Sequence, residues 1–286
     1  MRISSRLNLH GVNHADSAAY FADGIRFLKN AGFDAADLSF NFMKDPAIAW
    51  EPIVEAALSV SEQEGLPIEI CHLPYSVTIC KHPEELPAFN DAFHRALEAA
   101  SVLKPKYAVM HPNTVTAPLA EFDRTKMYDS VMNHLSPFVD HAQRCGVTLL
   151  LENTVPRGRG TDLYRYCAQP DELCEIADKL GVGICWDFGH AHAAGLKQSE
   201  ALRFLGSRVK ALHVNDNRGF GDDDHLPPFL GRIDWQDAMS GLKAVGYEGI
   251  FNYEIKVDAV PTSLRASLIP YLMDTARLLT GWFEKG

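Results

Sequence analysis

Short apolar runs and longer amphipathic segments alternate along the 286 residues of this chain. Eight of the apolar runs have the length and composition of buried β-strands, and a polar loop follows each of them. The regular spacing leaves room for a helix after each strand. We predict strands at residues 6–11, 34–40, 68–74, 107–112, 147–153, 182–188, 209–216 and 249–255.

The segments between these runs have the periodicity of amphipathic helices. Apolar residues recur at spacings of three and four, and a glycine follows the last turn of most of them. We predict helices at residues 17–32, 47–65, 92–103, 128–146, 171–181, 199–206, 235–246 and 263–283.

Eight strand-then-helix units predict an α/β protein, a single (β/α)8 TIM barrel domain that spans residues 1–286. No Gly/Ser linker, charge block or low-complexity tract divides the chain. A doubly wound open sheet is the alternative fold. Such sheets usually have fewer strands and a glycine-rich phosphate loop after the first strand, and the corresponding segment here, NLHGVNHAD, contains one glycine.

Composition narrows the classes of function. Apolar residues make up 47% of the chain, which is enough for a large core, and no run of about 18 apolar residues predicts a membrane span. The first residues lack the apolar stretch of a signal peptide, so we expect a soluble cytoplasmic protein.

Six scattered cysteines without a CxxC pair are expected to be reduced core thiols. A net charge of −10 without a basic cluster argues against nucleic acid as a partner.

Polar residues stand at the carboxyl ends of the predicted strands, where a barrel of this type builds its active site. One histidine or aspartate at a strand end is commonly a helix cap or an edge hydrogen-bonding group. Nine of them at corresponding positions would lose solvation and repel one another unless a cation compensated them, and a divalent metal ion resolves that conflict. The nine are His72, His111, Glu152, Asp187, His190, His213, Asp223, His225 and Glu254.

Four of these residues come from the fifth to the eighth predicted strands and form one arc of the rim: Glu152, Asp187, His213 and Glu254. Three carboxylates and one imidazole predict an oxygen-rich site for one divalent ion, Mn2+, Co2+, Mg2+ or Zn2+. The number of bound ions is left open, and a site with more than one ion is the alternative. Salt bridges that close the barrel are the structural alternative, but these strands offer few basic partners at the same ends.

Seven motifs occur in the order CHLPY, VMHP, LLLEN, WDFGHAHAAG, LHVNDN, DDHLPPFLGRIDW and NYEI. In this order they resemble, along nearly the whole chain, the xylose isomerase-like TIM barrel superfamily. That superfamily contains sugar phosphate isomerases and epimerases, inosose-processing enzymes and the AP endonuclease family 2 nucleases of the endonuclease IV type. Residues 229–231, FLG, replace the usual Gly-Glu-Gly of the superfamily.

The resemblance also implies roles for the strand-end residues. Glu152, Asp187, His213 and Glu254 correspond to the metal ligands of the isomerases and epimerases. The other five, His72, His111, His190, Asp223 and His225, correspond to the positions at which the nuclease branch holds further zinc ions.

We therefore expect a metal-dependent isomerase or epimerase that acts on a small sugar, sugar phosphate or polyol. Two carboxylates on one ion suit proton transfer through an enediolate, with Glu152 and Glu254 as the metal-bound base and acid. By resemblance, His190 and Arg218 are expected to contact substrate oxygens.

Other functions stay open at this point. An inosose-type dehydratase or lyase would use the same metal site but release water. A phosphodiesterase similar to endonuclease IV would use all nine residues around a multinuclear zinc site, against the repulsion between an acidic chain and phosphates. A sugar-binding barrel without catalysis is a fourth hypothesis. The loop with Arg157 and Arg159 either binds a phosphate or carboxylate of the substrate or is solvated. A homo-oligomer is also left open.

Overall fold

The computed structural model describes residues 1–10, 16–76, 83–112, 116–157, 162–219 and 221–285. Ten strands lie in these ranges, and eight of them form one parallel sheet. In chain order they are β1 Ile3–Arg6, β2 Ala35–Ser39, β3 Ile68–His72, β4 Tyr107–Met110, β5 Thr116–Pro118, β6 Leu149–Glu152, β7 Leu163–Arg165, β8 Gly183–Asp187, β9 Val209–His213 and β10 Phe251–Tyr253.

The described helices alternate with these strands. They are α1 Ala18–Ala31, α2 Glu51–Glu64, α3 Leu86–Leu103, α4 Arg124–Cys145, α5 Pro170–Leu180, α6 Phe188–Ala193, α7 Gln198–Leu205, α8 Trp235–Ala244, α9 Thr262–Arg265 and α10 Leu268–Lys285. A glycine in the left-handed region ends α1, α2, α4 and α5, where a side chain would strain the backbone. Among the described helices, none is long and apolar enough to cross a membrane.

The sheet runs in the order β10-β1-β2-β3-β4-β6-β8-β9. A parallel bridge between Val214 and Tyr253 then joins the end of β9 to β10, and the Val214 amide donates to the Asn252 carbonyl at 2.8 Å. The sheet therefore closes on itself, and the predicted (β/α)8 TIM barrel is confirmed. The strands β5 and β7 lie outside the barrel as an antiparallel pair.

Two predicted elements were wrong, and three described elements were missed. The first strand occupies Ile3–Arg6 instead of residues 6–11, because the apolar residues of the segment 7–10 are buried in a short 3-10 helix; residue 11 lies outside the described residues. The final helix is interrupted between Arg265 and Leu268. Pro270 cannot donate a backbone hydrogen bond, so it is tolerated in the first turn of a new helix, α10. The β5–β7 pair and α6 were not predicted.

The inside of the barrel has an apolar floor. Ile70, Val109, Leu150, Cys185 and Ala211 belong to a buried cluster that is separate from the core between strands and helices. Because side chains alternate across a strand, the residue two positions later points to the same interior. That position is occupied by His72, His111, Glu152, Asp187 and His213, so the strand pattern itself directs these polar groups into the barrel mouth.

His134 on α4 is expected to make the protein sensitive to acid. Its ring lies beside Phe89 and Phe138, and burial lowers its pKa from 6.5 to about 4. Between these values the unfolded chain binds a proton that the folded chain does not, so acidification favours unfolding. The free energy of unfolding begins to fall as the pH drops below about 6.5. The decrease is complete below about pH 4 and amounts to about 3 kcal/mol.

Replacing His134→Phe should remove this part of the acid sensitivity, because phenylalanine does not titrate. The measurement is the free energy of unfolding from urea titrations at about pH 7.5 and about pH 4.5. A variant that loses as much stability as the wild type between the two pH values would contradict the assignment.

Candidate metal centre

Four buried side chains converge at the carboxyl end of the barrel. Glu152, Asp187 and His213 are the last residues of β6, β8 and β9, and Glu254 follows β10 directly. One ligand atom from each lies within 4.8 Å of the others. The His213 Nδ1 atom is 2.9 Å from Glu152 Oε1 and 2.9 Å from Glu254 Oε2. We call this group the central cluster.

A second group, the β3–β4 cluster, consists of His72, His111 and Glu152. The Nε2 atoms of His72 and His111 are 3.1 Å apart, and they lie 3.3 and 3.1 Å from Glu152 Oε2. Ligands held about 2.0–2.1 Å from a tetrahedral Zn2+ ion are about 3.3 Å from each other. The triangle of donor atoms therefore has the size that such an ion requires. Glu152 belongs to both clusters and turns a different oxygen towards each.

A third group, the loop cluster, consists of His190, Asp223 and His225. Asp223 Oδ1 is 3.3 Å from His190 Nε2 and 2.8 Å from His225 Nε2. The other oxygen of Asp223 accepts a hydrogen bond from Lys256 Nζ at 3.0 Å. This lysine fixes the carboxylate so that its first oxygen faces the two imidazoles.

Backbone carbonyls orient three of the imidazole rings. The Nδ1 atoms of His72, His190 and His225 lie 2.8, 2.8 and 2.9 Å from the carbonyl oxygens of Leu73, Asn153 and Glu254. A carbonyl can only accept, so Nδ1 carries a proton, and Nε2 of the neutral ring would present a lone pair to an ion in its cluster. This arrangement is typical of histidines that bind metal ions.

Two further observations indicate that a cation suits these sites. The Oε2 atoms of Glu152 and Glu254 are buried, and they face imidazole nitrogens of His111 and His213 at 3.1 and 2.9 Å. Burial raises the pKa of Glu152, but His213 and His111 outweigh burial and hold that pKa well below its usual value. Burial lowers the pKa of His190, whereas Asp187 and Asp223 raise it to about 10. Buried carboxylates thus stay ionised only next to positive charge, and the donor set fits divalent ions.

Arg218 is placed differently from the other predicted site residues. Its side chain is 60% exposed, and Nη1 pairs with Asp224 Oδ2 at 3.1 Å. It belongs to none of the three clusters, and its contact with substrate stays a prediction. Arg157 is half-buried, while Arg159 and Cys80 lie outside the described residues.

Arg6, the last residue of β1, was not among the predicted site residues. Arg6 Nη1 lies 2.5 Å from Glu254 Oε1, so the central cluster does have one basic partner. The side chain is 18% exposed, and Nε and Nη2 have no hydrogen-bond partner among the described residues. Burial raises the pKa of Glu254, but Arg6 and His213 hold it well below its usual value.

A closed eight-stranded barrel whose strand ends converge on imidazoles and carboxylates defines a class of (β/α)8 proteins. Within that class, the chain belongs to the xylose isomerase-like TIM barrel family, which matches residues 25–272. The sequence-based assignment to this superfamily is therefore confirmed.

Individual relatives have diverged considerably. The chain is 25% identical to an inosose isomerase of Bacillus subtilis over 57% of this chain and 58% of the relative. It is 22% identical to a probable endonuclease 4 of Mycobacterium leprae over 77% of this chain and 85% of the relative. For two of the curated relatives, the matched region spans only 54% and 58% of their length.

The fold agrees with that of a solved D-tagatose 3-epimerase-like protein. The two structures superimpose with a TM-score of 0.70 over 96% of this chain and 100% of the other. At 20% identity, this similarity establishes the barrel and leaves the chemistry to be argued from the site.

Proposed function

We propose that the protein is a divalent-metal-dependent isomerase or epimerase of a small sugar, sugar phosphate or polyol. The observation that carries this proposal is the placement of Glu152 and Glu254, whose oxygens each lie 2.9 Å from His213 Nδ1 and therefore meet at one buried point. An inosose isomerase and a D-tagatose 3-epimerase-like protein among the relatives support a carbohydrate substrate.

The central cluster provides the groups that this reaction needs. A divalent ion bound there would polarise a carbonyl and a neighbouring hydroxyl, which makes the hydrogen on the carbon between them acidic. One of Glu152 and Glu254 removes that proton, and the other returns it to the opposite face or to the next carbon. His190 is buried beside them, and its pKa is raised to about 10, so without an ion in the loop cluster the ring is protonated and Nε2 can donate a hydrogen bond to a substrate oxygen.

The test is exchange of carbon-bound hydrogen with solvent. In deuterated water with Mn2+ or Co2+, we expect deuterium to enter ketoses or their phosphates, detected by NMR and mass spectrometry. Replacing Glu254→Gln should lower the exchange rate by about 100-fold or more, because the second proton-transfer group is lost. Replacing Glu248→Gln, an exposed glutamate before β10 at the opposite end of the barrel, is the matched control and should have no effect.

Absence of exchange with a broad panel of ketoses would contradict the proposal. Loss of 18 mass units from the product would indicate the dehydratase or lyase, since that reaction releases water whereas an isomerase conserves mass.

A second function, metal-dependent phosphodiester hydrolysis, is favoured by the β3–β4 and loop clusters. With ions in all three clusters, both oxygens of Glu152 would be bound, and Glu152 could not act as a base. Three adjacent cations suit the charge of a phosphodiester undergoing attack. The net charge of −10 counts against a nucleic acid substrate.

The number of bound ions separates the two functions. If the loop cluster binds an ion, Asp223→Asn should remove about one ion per chain, because its carboxylate lies between two imidazoles. Asp224→Asn, on the next residue, should leave the metal content unchanged, since Asp224 pairs with Arg218 instead. Metal content is measured by mass spectrometry of the purified protein. One ion per chain in the wild type would exclude the hydrolytic function.

A further inference from the structure

A cavity of about 370 Å³ opens next to the central cluster. The ends of β1 and β2, the start of α1 and the segment after β10 surround it. Arg6 lines the cavity and also bonds to Glu254, and Tyr75 lines it while its ring stacks on His111 at 4.9 Å. A ligand in this cavity would therefore be one side chain away from the central and β3–β4 clusters.

The cavity wall contains a buried positive charge that forms no ion pair with a carboxylate among the described residues. Arg265 lines the wall and is only 8% exposed. Its Nε donates to the Val260 carbonyl at 3.2 Å, and the described residues give its guanidinium no ion pair with a carboxylate. A buried cation without a counter-ion is costly, so this wall favours a bound anion.

The remaining lining offers hydrogen-bond donors on several sides of the cavity. Tyr20 contributes a phenol, and Ser39 and Asn41 contribute a hydroxyl and an amide. Burial raises the pKa of Tyr20, and Arg6 and Arg265 partly offset that rise, so both cations lie close to the phenol. Asp258 also lines the cavity and opposes an anion, but it is exposed to solvent, which screens its charge.

We propose that this cavity binds a phosphate group, so that the substrate of the central cluster is a phosphorylated sugar; the identity of the substrate rests on the function proposed above. A phosphate monoester carries about two negative charges and three acceptor oxygens, which match one guanidinium together with donors distributed around the wall. A carboxylate has one charge and two oxygens in a plane, and a single arginine fork would satisfy it.

The experiment compares phosphorylated and unphosphorylated ligands on the metal-loaded protein. Isothermal titration calorimetry gives dissociation constants for D-fructose 6-phosphate and D-ribulose 5-phosphate, and for D-fructose and D-ribulose. Replacing Arg265→Gln should weaken binding of the phosphates by about tenfold or more and leave the free ketoses unchanged, because a charged hydrogen bond is lost. Replacing Asp258→Asn removes a negative charge from the same cavity and is the matched variant with the opposite expected effect. It should tighten binding of the phosphates by about two- to fivefold.

Circular dichroism and metal content verify that each variant is folded and loaded. If Arg265→Gln does not fold, Arg265→Lys takes its place in the comparison, because lysine retains the positive charge without the planar fork of the guanidinium. Asp258→Asn changes an exposed residue and still decides the outcome. The proposal is overturned if neither phosphate binds, if the variants bind phosphates as the wild type does, or if D-gluconate binds with the same dependence on Arg265.

These dissociation constants are measured without turnover, so the two proposals can fail separately. Phosphate binding that depends on Arg265, without hydrogen exchange in any ketose, would refute the isomerase function alone. Exchange in free ketoses, with no effect of Arg265→Gln on binding of the phosphates, would refute the phosphate site alone.

Discussion

Replacing Glu152→Gln should reduce catalytic activity by about 1000-fold or more and lower the metal content of the central cluster. Glu152 Oε1 faces His213, and Glu152 Oε2 faces His72 and His111. A glutamine presents one neutral oxygen and one amide group, so it cannot supply a charged ligand to both sides. Activity is measured with the substrate found in the exchange experiment, and bound metal by mass spectrometry.

Glu172→Gln is the matched control for this experiment. Glu172 is also a buried carboxylate, but its oxygens accept hydrogen bonds from Tyr164 and from the Cys167 amide near the start of α5. We expect this control to cost about 1–3 kcal/mol of stability and to keep the full metal content. A Glu152→Gln protein with wild-type metal content and activity would refute the central role of Glu152.

Replacing Asp216→Asn should cost about 3 kcal/mol or more of unfolding free energy. Asp216 is fully buried, and its two oxygens accept five hydrogen bonds from the loop that follows β9. Oδ1 accepts from the amides of Asn217, Arg232 and Ile233, and Oδ2 accepts from the Phe229 amide and Trp235 Nε1. An asparagine would turn an NH2 group towards donors, which leaves buried groups unpaired.

The same substitution should also disturb the loop cluster, because Asp223 and His225 lie in the segment that Asp216 holds. A Cβ at Gly231 would overlap Asp216 Oδ1, which shows how closely the loop is packed around this carboxylate. Urea denaturation measures stability. Asp234→Ala is the control on the same loop, because Asp234 only caps α8 and its loss should cost about 1 kcal/mol. Equal costs for the two variants would contradict the central position of Asp216.

Much of the barrel could be predicted from the sequence because its strands are buried apolar runs of regular spacing. The polar residues at the strand ends could also be identified from the sequence, because the apolar runs of β3, β6, β8 and β9 end at His72, Glu152, Asp187 and His213. Pattern alone could not give the distances between them. The division of nine residues into three clusters depends on barrel closure and on the backbone carbonyls that orient the rings.

Arg6 was missed for a specific reason. RLNLHG alternates as a strand does, and the predicted strand therefore began at Arg6 instead of ending there. The error moves Arg6 from the mouth of the barrel to its floor. Moving the strand to Ile3–Arg6 places Ser4 and Arg6 on the same interior side and would have identified the residue. The long-range contacts of Asp216 had no comparable sequence signal.

At the rim of this barrel, the proposed binding of ions and the proposed selection of the ligand fall to different segments of the chain, whereas many binding sites combine them. The proposed ion-binding side chains come from the ends of β3 to β10 and from the segments after β8 and β9, whereas the arginine- and tyrosine-lined cavity is built mainly by segments after β1, β2 and β10. Because loops on one scaffold can vary independently, substitutions in the second set can alter ligand preference while the first set is retained. Related proteins of this fold can then diverge in substrate through changes in these segments alone.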